Sequence, residues 1–108
     1  MVTTQAEDLL PLALSRPQEA AVQARAVLSQ DPTPLQASLA RQAIGIVLRE
    51  FGDIDAAIGE LRTALRLAKL SGSDEREADV LGTLGVALVF AGRTTSGRKA
   101  LDAGVQRA

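Results

Sequence analysis

The side chains that could do chemistry in this sequence are few, and their spacing points away from catalysis. The 108 residues contain neither cysteine nor histidine. That removes thiolate nucleophiles, disulfides, imidazole acid–base chemistry and the usual zinc ligands. An enzyme built from this chain would need carboxylates or a lysine converging in a cleft, and no such set stands out. Asp53 and Asp55, and Asp74, Glu75 and Glu77, sit where helices are expected to begin, so capping and the helix dipole account for them. No calcium-loop spacing is present. Thr94, Thr95 and Ser96 have no base partner nearby in sequence. Gly82, Gly85 and Gly92 follow no strand and precede no lysine–serine or lysine–threonine pair, so they do not form a phosphate loop. Arg62, Arg66 and Lys69 fall on one helix face at spacings of three and four, and Arg93, Arg98 and Lys99 form a second basic group. Both read as solvated faces.

Charge excludes further classes. Twelve basic residues stand against thirteen acidic ones, at a pI of about 5.3. A nucleic-acid surface would carry a basic excess, and a membrane-surface helix a Lys/Arg-rich polar side. Neither nucleic acid nor membrane is therefore an expected partner. Ala40 to Leu65 invites a helix-turn-helix reading, and hence a DNA-binding regulator, but the balanced charge argues against it. Met1 to Ser15 lacks a basic start and carries Glu7 and Asp8, unlike a signal peptide. No apolar run approaches the roughly 20 residues that span a bilayer. A cytoplasmic protein without cofactor or metal is the expectation.

Positioning these residues falls to helices. Hydrophobic residues make up 46% of the chain and aromatics 2%, only Phe51 and Phe90. Alanine and leucine supply the apolar content, which favours helix over sheet. Punctuation divides the chain. Ser15-Arg16-Pro17-Gln18 and Thr33-Pro34-Leu35-Gln36 each read as a capping box with proline in the first turn. Gly52-Asp53 stops one helix and starts another. Ser71-Gly72-Ser73-Asp74 and Gly92-Arg93-Thr94 act alike. Six helices are predicted, at 3–14, 17–30, 34–51, 53–70, 74–91 and 94–107, with Pro11 expected to end or kink the first. Loops this short make consecutive helices antiparallel neighbours. The fold class is all-α.

A repeat recurs at an offset of about 40 residues. Gly45 matches Gly85, Leu48 matches Leu88, Gly52 matches Gly92 and Leu61 matches Leu101. Ile44, Ile46 and Leu65 match Leu84, Val86 and Val105. The first helix of the central repeat reads Arg41, Ile44, Gly45, Leu48, and its second helix supplies Ala57, Leu61 and Ala64. The last repeat reads Leu81, Leu84, Gly85, Leu88, then Gly97, Leu101 and Gly104. This pattern resembles the tetratricopeptide repeat. The aromatic places of that motif are aliphatic or polar here, the closing proline is missing after the central repeat, and the period exceeds the usual one of about 34. The resemblance covers 38–73 and 74–108 as repeats, with 1–37 a degenerate hairpin, in a single domain. Ala43-Ile44-Gly45-Ile46 and Gly52-Asp53-Ile54-Asp55-Ala56-Ala57 are also similar to N-terminal repeats of actinobacterial proteins that carry a caspase-like (CHAT) peptidase domain. This likeness implies a fragment of a longer protein.

The resemblance implies a right-handed superhelical stack of about three antiparallel hairpins, and a scaffold for protein–protein interaction. The first helices of such hairpins line a concave face. Beside the core positions, the stripe on that face is Gln42, Ile46 and Arg49 in the central repeat, and Gly82, Val86 and Val89 in the last. Arg49 would pair a carboxylate, Gln42 would bond an extended backbone, and Ile46, Val86 and Val89 would form an apolar trough. A lysine–asparagine carboxylate clamp is not expected, since Lys69 and Lys99 are the only lysines and there is no asparagine. The rival reading is a purely structural or regulatory segment of a larger signalling or peptidase protein, without a ligand of its own. An uncapped C-terminal hairpin would also allow a homodimer.

Overall fold

The computed structural model describes residues 5–108. A 3-10 turn at Ala6–Asp8 leads into six α-helices: α1 (Leu9–Ser15), α2 (Pro17–Leu28), α3 (Pro34–Glu50), α4 (Ile54–Ser71), α5 (Asp74–Phe90) and α6 (Thr94–Arg107). No strand occurs among the described residues. The last five helices lie within two residues of the expected bounds. The part of the first prediction at residues 3 and 4 lies outside the described residues.

Two local expectations need correction. Pro11 neither ends nor kinks α1, because the helix starts only two residues before it. Its missing N–H falls in the first turn, where no intrahelical acceptor exists. Ser15 does not cap α2. It is the last residue of α1, and its hydroxyl donates to the Pro11 carbonyl at 3.1 Å. Arg16 therefore precedes α2 without a side-chain cap, although Pro17 does occupy the first turn. The second box forms as read. The Gln36 amide donates to Thr33 Oγ1 at 3.2 Å, and the Thr33 amide donates to Gln36 Oε1 at 3.0 Å. Asp53 caps α4. At α5 the cap is the Ser73 hydroxyl, and Asp74 is the first helical residue.

The 40-residue repeat is carried by two structural devices. The first is the end of α3 and of α5. Gly52 and Gly92 take φ of 84° and 82°. The Asp53 amide bonds back to the Leu48 carbonyl and the Arg93 amide to the Leu88 carbonyl, each at 2.9 Å. These are matched six-to-one closures of a helix C-terminus. The second device is a close helix crossing. A Cβ on Gly45 would lie 2.7 Å from Leu61 Cγ, and one on Gly85 would lie 2.6 Å from Leu101 Cγ. Glycine at these two sites is what allows the leucine of the following helix to seat.

Helices pack chiefly on those next or next-but-one in sequence. The α3–α4 and α5–α6 pairs are the most extensive, α4 lies on α5, and α1 lies on both α2 and α3. The molecule is elongated, with extents of 45 × 31 × 19 Å. The apolar interior is divided accordingly. One cluster joins Leu9, Ala20 and Ala24 to Ala43, Ile44 and Val47, and another joins Ile58 and Leu61 to Leu84, Leu88 and Ala100. Arg41 and Glu60 add a half-buried ion pair at 3.1 Å between α3 and α4.

Candidate functional site

The end of α3, the start of α4 and the end of α5 meet around an open groove of about 420 Å³. Arg49, Glu50, Ile54, Val86 and Phe90 line it. The α3 closure fixes where Arg49 and Glu50 stand, and the Asp53 cap fixes the first turn of α4, which holds Ile54. Val86 and Phe90 are one turn apart on α5 and so share a face. Ile54 leans on the cluster around Ile58. Phe90 is 74% exposed, a large apolar side chain held in water by a rigid helix end. Arg49 Nη2 stands 3.9 Å from Glu50 Oε1, a loose pair that leaves both groups able to meet a partner. Apolar anchors beside one acidic and one basic group suit recognition of an amphipathic segment.

A related groove of about 450 Å³ lies at the α1–α2 turn, between Arg16, Pro17, Gln18 and Glu19 and the side of Phe51. Phe51 is also exposed. Each groove thus sets a hairpin turn against an aromatic from the end of α3 or α5. These are the chain's only two aromatics. Sequence reading passed over Phe51, Phe90, Glu50 and Ile54 as site residues. The available signal was that both phenylalanines stand one or two residues before a helix-ending glycine, where a large side chain finds little core to enter.

The six residues expected on one binding stripe are dispersed. Arg49 and Val86 meet in the main groove. Val89 touches α6, where a Cβ on Gly97 would lie 2.7 Å from Val89 Cγ2, and is also 42% exposed, outside the groove lining. Gly82 of α5 has open space where a Cβ would stand, while its backbone nitrogen lies 3.5 Å from the Cβ position of Gly104 on α6. Ile46 is buried with the α1–α2 cluster, so it adds nothing to an open trough. Gln42 is only 1% exposed and has no free amide to offer a peptide backbone.

Gln42 belongs to a buried polar network across α3, α4 and α5. Its Nε2 donates to Thr83 Oγ1 at 2.9 Å and to Asp79 Oδ2 at 3.2 Å, and its Oε1 accepts from Arg76. Arg76 also donates to Asp79 Oδ2 at 3.1 Å and to Ser38 Oγ at 3.3 Å. Ser38 passes the chain on to the Ala64 carbonyl at 2.9 Å. Burial lowers the Arg76 pKa from its ordinary value, opposed by the attraction and hydrogen bond of Asp79. The guanidinium remains charged, and its Nε has no partner among the described residues. This network holds the helices in register, and its members face one another. A second buried charge, Glu77, forms an ion pair with Arg107, its Oε2 2.6 Å from Arg107 Nε, and ties α6 back to α5.

No group of acidic side chains is arranged to hold a metal ion among the described residues. No helix there is long and apolar enough to cross a membrane. No family model matches the chain, and no curated protein or solved structure matches it significantly.

Proposed function

We propose that this chain is a non-catalytic protein-interaction module of the tetratricopeptide type. The hairpins α1–α2, α3–α4 and α5–α6 coil in a right-handed superhelix and hold a peptide, helix or neighbouring domain of a partner protein. The matched helix closures and matched glycine–leucine crossings support the repeat reading. The groove lined by Arg49, Glu50, Ile54, Val86 and Phe90 carries the binding reading. Its walls are helix termini fixed by caps and closures, so little ordering is left to oppose binding. Ile54, Val86 and Phe90 provide the anchors, and Arg49 and Glu50 orient a segment bearing both signs of charge.

A displayed library of random peptides, panned on the 108-residue protein, tests this reading. Enriched peptides should carry a large apolar residue flanked by charge and should bind in the micromolar range. Binding should weaken about tenfold or more in Phe90→Ala, as expected for an aromatic hot spot. Failure to enrich any sequence, or enriched peptides indifferent to both Phe90→Ala and Val86→Glu, would overturn it.

A further inference from the structure

The main groove is one end of a longer seam between α3 and α5. Arg76 meets Ser38, Asp79 and Thr83 meet Gln42, and Val86 and Phe90 share the groove with Arg49 and Glu50. The partners advance together along both helices, so α3 and α5 run parallel. On α5 the seam residues Arg76, Asp79, Thr83, Val86 and Phe90 recur at steps of three and four and so share one face. Hydrogen bonds close the seam at its first end. At the other end it stands open as the groove.

Apolar packing does not set the width of this seam. Among the described residues α3 shares its apolar cluster with α1 and α2, while α5 shares its clusters with α4 and α6. No cluster holds residues of both α3 and α5. Direct contact between these two helices is slight beside that of α3 with α4 or of α5 with α6. Every hydrogen bond joining α3 to α5 among the described residues uses Gln42 or Arg76. Such bonds fix both distance and direction, whereas apolar contact is non-directional.

We propose that Gln42 and Arg76 are positioning residues for the groove: their bonds are the pivot of the α3–α5 seam and set how far Val86 and Phe90 stand from Arg49 and Glu50. Neither side chain lines the groove itself. The effect on a partner rests on the groove being the binding site, whereas the pivot itself does not. Without these bonds α5 stays on α4 through their shared apolar clusters, but nothing holds its far end at one distance from α3. A partner segment then has to order the mouth as it binds, and that ordering is subtracted from its affinity.

The double variant Gln42→Leu/Arg76→Leu removes the pivot and tests this. It leaves the remaining polar groups provided for. Ser38 keeps the Ala64 carbonyl at 2.9 Å, Thr83 keeps the Asp79 carbonyl at 3.3 Å, and the Asp79 side chain is 51% exposed to water. Exchange of a buried polar cluster for apolar side chains is often tolerated, and circular dichroism checks that helicity is retained. The chain has no cysteine, so nitroxide labels at Phe51→Cys and Ala91→Cys report the distance between the ends of α3 and α5. Labels at Glu75→Cys and Asp102→Cys give a control across α5 and α6. In pulsed electron paramagnetic resonance the first pair should show a broader distance distribution in the double variant than with the pivot intact, and the control pair an unchanged one. Peptides selected on the wild type should bind the double variant about tenfold more weakly. An unchanged first pair, or equal broadening of both pairs, would overturn the pivot. Broadening with undiminished peptide affinity would overturn the positioning role. The distance measurement needs no ligand, so it decides the pivot even where peptide selection fails and the binding reading falls with it.

Discussion

A methyl group added at Gly45 and one added at Gly59 have opposite consequences, although both sites lie inside helices. At Gly45 the new Cβ would stand 2.7 Å from Leu61 Cγ and 3.3 Å from the Ala57 carbonyl, and Leu61 is fully buried. Overpacking of this kind costs about 1–3 kcal/mol, against a gain of about 0.5–1 kcal/mol in helix propensity. Gly45→Ala should therefore lower the urea midpoint. Gly59 has nothing within 4 Å of that position. Gly59→Ala should raise stability by about 0.5–1 kcal/mol. A stabilised Gly45→Ala would refute the close-crossing account. This contact was legible in the sequence, because a glycine and a leucine recurred together in two segments. The Gln42–Arg76 network was not. Gln42 sat beside the core stripe and looked solvent-facing, while Arg76 lies 34 residues away on another helix. No local spacing announces such a pair. Gln42→Leu should cost about 1–3 kcal/mol, since it strands a buried donor. Gln42→Leu with Arg76→Leu should cost less than the two single losses added together. A double-mutant cycle that adds without coupling would show that the network does not act as a unit.

At the scale of the helix, starts and stops were readable where one residue type has one local use. Glycine at Gly52 and Gly92 and threonine at Thr33 ended and began helices where expected. Ser15 misled because the same hydroxyl can cap the next helix or bond back to a carbonyl four residues earlier. The short α1 took the second option. The two serine/threonine–x–x–glutamine sequences therefore make a controlled comparison. Thr33→Ala removes the Oγ1 that accepts from the Gln36 amide, one of the two bonds of a formed box, and should cost about 0.5–2 kcal/mol. Ser15→Ala removes only an exposed bond to a carbonyl, and surface changes of this kind usually stay within about 0.5 kcal/mol. Thermal or urea unfolding of the two variants separates them. Equal losses would mean that Ser15 supports the start of α2 in a way its hydrogen bond does not reveal. The groove residues were harder to foresee than the helices. Arg49 and Val86 come together only because α5 returns alongside the α3–α4 turn, a relation set by crossing geometry.

The whole molecule is held by contacts between near neighbours in sequence, and this should govern how it comes apart. α3 meets α1, α2, α4 and α5, whereas α6 leans mainly on α5. An elongated body of this kind approximates a row of units, each stabilised by its own packing and by the interface to the next. Units inside the row have two interfaces and those at the edge one. Opening should then proceed inward from the edges, with local free energies below the global value. The ties between helices sharpen the expectation. The Ser38–Gln42–Arg76–Asp79 network joins α3, α4 and α5, while α6 is anchored to α5 by Arg107 on Glu77 at 2.6 Å. Native-state amide exchange at concentrations low enough to keep the chain monomeric should find the slowest amides in α3, α4 and the first half of α5. Amides of α2 and α6 should exchange about tenfold faster or more. Arg107→Ala should accelerate α6 and leave α3 nearly unchanged, because the two helices share no extensive contact. Exchange that is uniform over all helices, or an Arg107→Ala effect spread equally across α3 and α6, would mean that the chain opens as one cooperative block, and the picture of a row of coupled units would have to be abandoned.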